Sequence, residues 1–155
     1  MSPLDKIDKL ILGLLQQDAT LPVNEISEKV GLSSTPCWRR IQRLERDGFI
    51  TRRVALLDPD KLQVGVTVFV AIKTSQHNEK WFQRFSGVVA AIPQIVEFYR
   101  MSGDYDYLLR VVVPDIKAYD AVYKRLIRDI ELFDVSSSFA MEQIKYTTAL
   151  PLDYA

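Results

Sequence analysis

Hydrophobic positions in the first 50 residues recur at helical spacing. Leu4, Ile7, Leu10, Ile11, Leu14 and Leu15 predict a first helix ending near Gln17, before a polar turn at 18–20. A short second helix follows, with Pro22 in its first turn, Ile26 and Val30 facing inward, and Gly31 suited to a left-handed C-terminal position. Ser34 is the predicted N-cap of a third helix over 35–47, which Gly48 ends. The period then changes. Residues 49–57 are rich in β-branched and large apolar side chains and predict an extended segment. The stretch LLDPDKL, 56–62, holds the turn signal Asp58-Pro59 and divides the chain into domains 1–61 and 62–155.

The second domain alternates strands and helices. Strands are predicted at 66–72, 95–101 and 107–113, with a long last strand at about 135–147. Trp81, Phe82, Phe85, Val88, Val89 and Ile92 form a helical stripe stopped at Pro93. Asp115 caps another helix, with Ile116, Tyr119, Val122, Tyr123, Leu126, Ile127 and Ile130 as its apolar face. The order βαββαβ is that of a ferredoxin-like split βαβ sandwich, so the fold class is α+β. In the first strand Val66, Val68, Val70 and Ile72 point one way, and Phe69 and Ala71 the other. Both faces are apolar. One layer of helices buries only one of them, so a homodimer that stacks two sheets is expected.

Composition sharpens this picture. A hydrophobic content of 48% is enough for a real core, and no apolar run reaches the length of a membrane span. Charges interrupt the N-terminal apolar pattern, which argues against a signal peptide. Cys37 is the only cysteine, so no internal disulfide forms. A cytoplasmic protein is expected. Twenty basic and 20 acidic residues cancel, a balance that does not by itself suggest a nucleic-acid partner.

The distribution of charge says more. Arg39, Arg40, Arg43, Arg46, Arg52 and Arg53 stand against Glu45 and Asp47, a local charge of +4. On a wheel of about 100° per residue starting at Arg39, Arg43 falls at about 40°, Arg46 at about −20° and Arg40 at about 100°. Leu44, Cys37, Ile41 and Trp38 fall between about 140° and about 260°, which makes Cys37 and Trp38 core residues. The bland reading of the charged side is a solvated face with i,i+4 pairing. Against it, all these cations are arginine, which forks onto phosphate and guanine edges. The helix also follows a short helix and a glycine turn, an arrangement that presents a helix to the major groove of double-stranded DNA. Ser34 opens that helix. Thr35, Pro36, Arg39 and Arg40, near its N-terminus, are candidates to read bases. Arg43, Arg46, Arg52 and Arg53 are placed for phosphates. This assignment requires guanidiniums that are unpaired within the fold.

At these residues a resemblance becomes visible. LDKIDKLILGLLQQDA, EISEKVGLSSTPCWRRIQRLERDGFI and VALLDP resemble the N-terminal half of the Lrp/AsnC (feast/famine) transcription regulators. SGDYDYLLRVVVPDIKAYD and FAMEQIKYTTALPL resemble their C-terminal half. The resemblance implies a winged helix-turn-helix followed by an effector-binding sandwich of the RAM type. It also implies dimers through the sheets, higher assemblies of dimers, and an amino-acid-type effector. Pro22 departs from the small polar cap expected there.

The hairpin SGDYDY, 102–107, is the second candidate site. Gly103 permits positive φ in a tight turn. Backbone N–H groups of such a turn could hold a carboxylate, and Asp104 or Asp106 an ammonium. The residues alone favour an ordinary solvated turn, since Gly-Asp turns are common. The resemblance favours the effector site, with Met101, Tyr105, Ser136, Ser137 and Ser138 as further candidates to line it. No enzyme is expected. His77, the only histidine, falls in a polar turn, and no metal spacing, phosphate loop or dinucleotide fingerprint occurs, so neither metal nor cofactor is expected. The alternative function is a ligand-sensing regulatory subunit that acts through protein contact instead of DNA.

Overall fold

α1 (Lys6–Gln17) begins at Asp5, whose carboxylate accepts the Asp8 N–H while the Asp8 carboxylate accepts the Asp5 N–H. This reciprocal pair satisfies two N–H groups that a helix start otherwise leaves open. The computed structural model describes residues 4–128 and 130–155. α2 (Val23–Val30) ends at Gly31, at φ 71°. α3 (Ser34–Arg46) starts one residue earlier than predicted, with Ser33 at the N-cap position. Ile11, Leu12, Leu15, Ile26, Cys37, Ile41 and Leu44 make one buried core among the three helices. Leu10, expected on the inward stripe, is exposed, and Asp8 is buried instead.

The expected extended segment at 49–57 forms no strand. Phe49 and Ile50 donate to the Leu44 carbonyl at 2.9 and 3.2 Å, and residues 51–57 are exposed. A strand needs a partner edge, and no strand lies in this part of the chain among the described residues.

The second unit contains β1 (Val66–Lys73), α4 (Glu79–Ala90), β2 (Ile95–Arg100), β3 (Tyr107–Val113), α5 (Ile116–Arg128) and β4 (Asp134–Phe139). The strands are antiparallel in the order β2-β3-β1-β4, as a split βαβ sandwich requires. Val68, Val70 and Ile72 of β1 and Tyr107, Leu109, Val111 and Val113 of β3 are buried with Phe85 and Val89 of α4 and Tyr119, Val122 and Leu126 of α5. Rings of Trp81, Phe82, Phe85, Phe98 and Tyr107 meet stacked, tilted or edge to face at one end of this core. The apolar face of α5 is narrower than expected: Ile116 and Ile127 are exposed. The open face of the sheet carries Phe69 and Tyr99, both exposed, and the ion pair of Arg110 with Glu97 at 2.6 Å.

β4 stops at Phe139 and does not continue to Thr147. Its last pairings are Phe139 with Val68 and the Ala140 N–H on the Thr67 carbonyl. The division of the chain also differs from 1–61 and 62–155. One unit holds the chain up to Leu56 together with Lys145–Ala155, and the other holds Leu57–Ile144. The C-terminal residues join the helical unit because the Gln16 side chain bonds the N–H and the carbonyl of Leu150, and Leu152 packs on the helical core.

Candidate nucleic-acid interface and effector site

The turn into α3 is fixed by backbone bonds. Leu32 N–H reaches the Ser27 carbonyl at 2.9 Å, and Gly31 supplies the left-handed conformation that this turn requires. Beneath it, the Ser27 hydroxyl is buried and lies 3.5 Å from that of Ser34. Cys37, Ile41 and Leu44 anchor α3 to the core, and burial raises the Cys37 thiol pKa. Burial thus favours the neutral thiol over the thiolate.

The outward face of α3 is not the one the wheel suggests. Ser34, Thr35, Pro36, Trp38, Arg39, Gln42 and Arg46 are exposed. Trp38, expected in the core, is 51% exposed. Arg40 and Arg43 are turned toward α1. Arg40 Nη1 donates to Asp8 Oδ1 at 2.8 Å and to Asp5 Oδ2 at 2.6 Å, and Arg43 Nη2 pairs with Asp8 Oδ2. The expected row of unpaired guanidiniums is thus corrected. The physical reason is the buried Asp8 carboxylate, which needs cationic partners and draws two of them. The exposed face is rotated by roughly a quarter turn from the arginine-centred one.

The other arginines differ. Arg46 meets the neighbouring Asp47 at 3.2 Å but remains 74% exposed. Arg53 pairs with Glu45 at 2.9 Å, and its other terminal nitrogen lies 3.4 Å from the Ala19 carbonyl. Arg39 and Arg52 are exposed with no ion-pair partner among the described residues. Trp38 and Gln42 were missed by the sequence reading. The missing signal lies on α1: the Asp8 that replaces an apolar residue in its inward stripe.

In the sandwich, Asp106 organises the hairpin loop. Its N–H donates to the Ile72 carbonyl at 2.9 Å, its carbonyl accepts from Met101 at 2.8 Å, and its carboxylate accepts the Thr74 N–H at 2.8 Å. That carboxylate oxygen is a loop anchor, which leaves the second oxygen for any ligand. Gly103 has φ 121°. Asp104 and Tyr105 are exposed, with the Lys73 ammonium 5.9 Å from the Tyr105 ring centre. Beside the loop lies a cavity of 260 Å³ lined by Gln76, His77, Asn78, Glu79, Phe82, Arg100, Met101, Asp106 and Tyr107. Of the predicted effector residues only Met101 and Asp106 line it. Gly103, Asp104 and Tyr105 lie outside its lining. Ser137 is bonded to the Tyr119 hydroxyl, and Ser138 pairs with Phe69 on the open face. The sequence reading treated His77 as surface loop and missed Arg100. Their convergence depends on β1 and β2 ending at the same side of the sheet.

Residues 67–150 match the Lrp/AsnC ligand binding domain, and residues 4–51 match a winged helix-turn-helix DNA-binding domain. The chain belongs to the Lrp/AsnC family of transcription regulators. It is 55% identical over 151 residues to the DNA-binding transcriptional activator DecR of Escherichia coli K12, covering 97% of this chain and 99% of DecR. An AsnC family regulator from Agrobacterium tumefaciens superposes with a TM-score of 0.94 at 66% identity, over 97% of this chain and 99% of that one. A transcriptional regulator from Neisseria meningitidis, solved with L-Met, superposes with a TM-score of 0.93 at 33% identity, over 98% and 99%. As a member of this family the chain is a DNA-binding transcription regulator with a ligand-binding domain. No helix among the described residues is long and apolar enough to cross a membrane.

Proposed function

We propose that this regulator reads double-stranded DNA with the exposed face of α3, at Ser34, Thr35, Pro36, Trp38, Arg39 and Gln42. Arg46, Arg52 and Arg53 serve phosphates, and Arg53 must leave Glu45 to do so. The observation that carries this reading is the pairing of a solvent-exposed tryptophan with an unpartnered arginine on a helix whose opposite side is core. Arg39 has no ion-pair partner among the described residues, and a planar side chain beside a guanidinium suits base edges and sugars. Arg39→Ala is expected to weaken binding to a duplex selected by the protein from a random pool by about 1–3 kcal/mol. Unchanged affinity in a folded variant would contradict the assignment.

The effector assigned to the sandwich is a free amino acid held at the cavity beside the 101–106 loop. Arg100 offers a cation for the carboxylate, and Glu79 and the free oxygen of Asp106 offer acceptors for the ammonium. The solved relative with L-Met supports this chemical class. Calorimetry with each of the twenty amino acids tests it, with Arg100→Ala expected to abolish the heat of the one that binds. The open sheet face, where Phe69 lies opposite Arg110 with Leu108 and Val112 on either side of that arginine, suits a homodimer and assemblies of dimers. No catalytic step is assigned to either unit.

A further inference from the structure

Among the described residues Asp8 is the only buried charged side chain, and it lies on α1, outside the surface assigned to DNA. The α1 cap uses its Oδ2 for the Asp5 N–H at 3.1 Å. The same carboxylate also collects Arg40 and Arg43 from α3, and Asp5 completes the group through Arg40. Two carboxylates and two guanidiniums therefore cancel. The Arg40 and Arg43 side chains are still 28% and 31% exposed, so they lie at the edge of the outward face and not beneath it. Freed from Asp8, Arg43 would stand about one helical turn from Arg39, while Arg40 would keep its bond to Asp5.

Phosphate contacts raise affinity for every sequence alike, whereas base contacts separate one sequence from another. A reading helix with four free arginines would bind any duplex tightly. We propose that Asp8 is a positioning residue for DNA recognition: it withholds Arg40 and Arg43 from phosphate and fixes the rotation of α3. The groove then meets Thr35, Trp38, Arg39 and Gln42. This rests on α3 being the DNA-reading helix. Because the clamp is shared with the α1 cap, the pitch of the reading face is set by the first helix of the chain, not by α3 alone.

The test measures binding of the full chain to two duplexes across a salt series. One duplex is selected from a random pool by the parent protein, and the other is the same sequence shuffled. Asp8→Asn keeps the shape and one acceptor but releases the charge. It is expected to tighten binding to the shuffled duplex and to steepen the salt dependence by about 0.9, the value of one recovered phosphate contact, because Arg43 is released while Arg40 keeps Asp5. The preference for the selected duplex should fall about tenfold or more, the loss of one misplaced base contact. Equal weakening on both duplexes with an unchanged salt slope would reduce Asp8 to a fold-supporting residue and overturn the proposal. Should Asp8→Asn fail to fold, Arg43→Gln decides. A withheld Arg43 leaves the slope unchanged, and a slope lower by about one would place Arg43 on phosphate and overturn it. Arg39→Ala is the separating control. If it loses the preference while Asp8→Asn changes nothing, only the withholding role fails. If it keeps the full preference, the DNA-facing assignment of α3 fails as well.

Discussion

The helical unit and the sandwich solve the same problem, fixing a surface site, by different means. In the helical unit seven apolar side chains among the described residues share the interior with a charged one, Asp8, which takes two arginines of α3. In the sandwich fourteen buried side chains, with a cluster of aromatic rings at one end, form the scaffold, and the loop at 101–106 hangs from it by hydrogen bonds through Asp106. Apolar packing is non-directional, whereas ion pairs fix angles. The reading helix is therefore held by charge at its edge as well as by its apolar core. A site that must enclose a small molecule is held by a rigid core with a hydrogen-bonded rim.

This contrast has measurable consequences. Phe85 is fully buried at the centre of the sandwich rings, so Phe85→Ala should cost about 3–5 kcal/mol in chemical denaturation, confined to the sandwich transition. Asp8→Ala should destabilise the helical unit by about 2–4 kcal/mol. The lower part of that range follows from its arginine partners, which can turn to water. Raised salt should barely change the Phe85→Ala deficit, since apolar burial is not screened. Tyr119→Phe removes the hydroxyl bond to Ser137 and should cost about 1 kcal/mol, read from the same denaturation curve. Burial holds the Tyr119 hydroxyl above the usual tyrosine pKa, so this difference should persist as pH rises to 10.

The smallest effect is a pH dependence. The Asp8 N–H and then the Arg40 guanidinium hold the Asp5 carboxyl below its ordinary pKa of 3.8. A depressed folded pKa stabilises above 3.8 and is lost as pH falls through the lowered value. Thermal melts of the helical unit should therefore weaken below pH 3.8, and Asp5→Asn should flatten that slope while leaving the sandwich melt unchanged. Glu97, depressed by Arg110, adds a parallel acid dependence to the sandwich.

Much of the fold is legible in the chain because burial follows period. The alternation in β1 placed Val68, Val70 and Ile72 in the core, and the stripe of α4 predicted Phe85 and Val89 there. What periodicity could not supply was the end of pairing. β4 stops pairing at Phe139, opposite Val68, a fact of register that no local pattern carries. The α3 face shows the same limit. A wheel centred on charge assumes that charge points outward, and Asp8 on another helix reverses this for Arg40 and Arg43 while leaving Trp38 outside. At the loop, Gly103 and Asp106 were recognisable as a turn. The cavity wall was not, because His77 and Arg100 are distant in sequence and meet only through the sheet.

The assignment of the α3 surface turns on Trp38, one of two tryptophans in the chain. With Trp81→Phe as background, Trp38 is the single emitter, and its fluorescence can be followed as selected duplex DNA is added to saturation. A groove-facing Trp38 gives a saturable quench or shift whose midpoint matches the binding constant and moves with salt. Emission that stays constant while the DNA is fully bound would show that another surface of the protein meets the duplex.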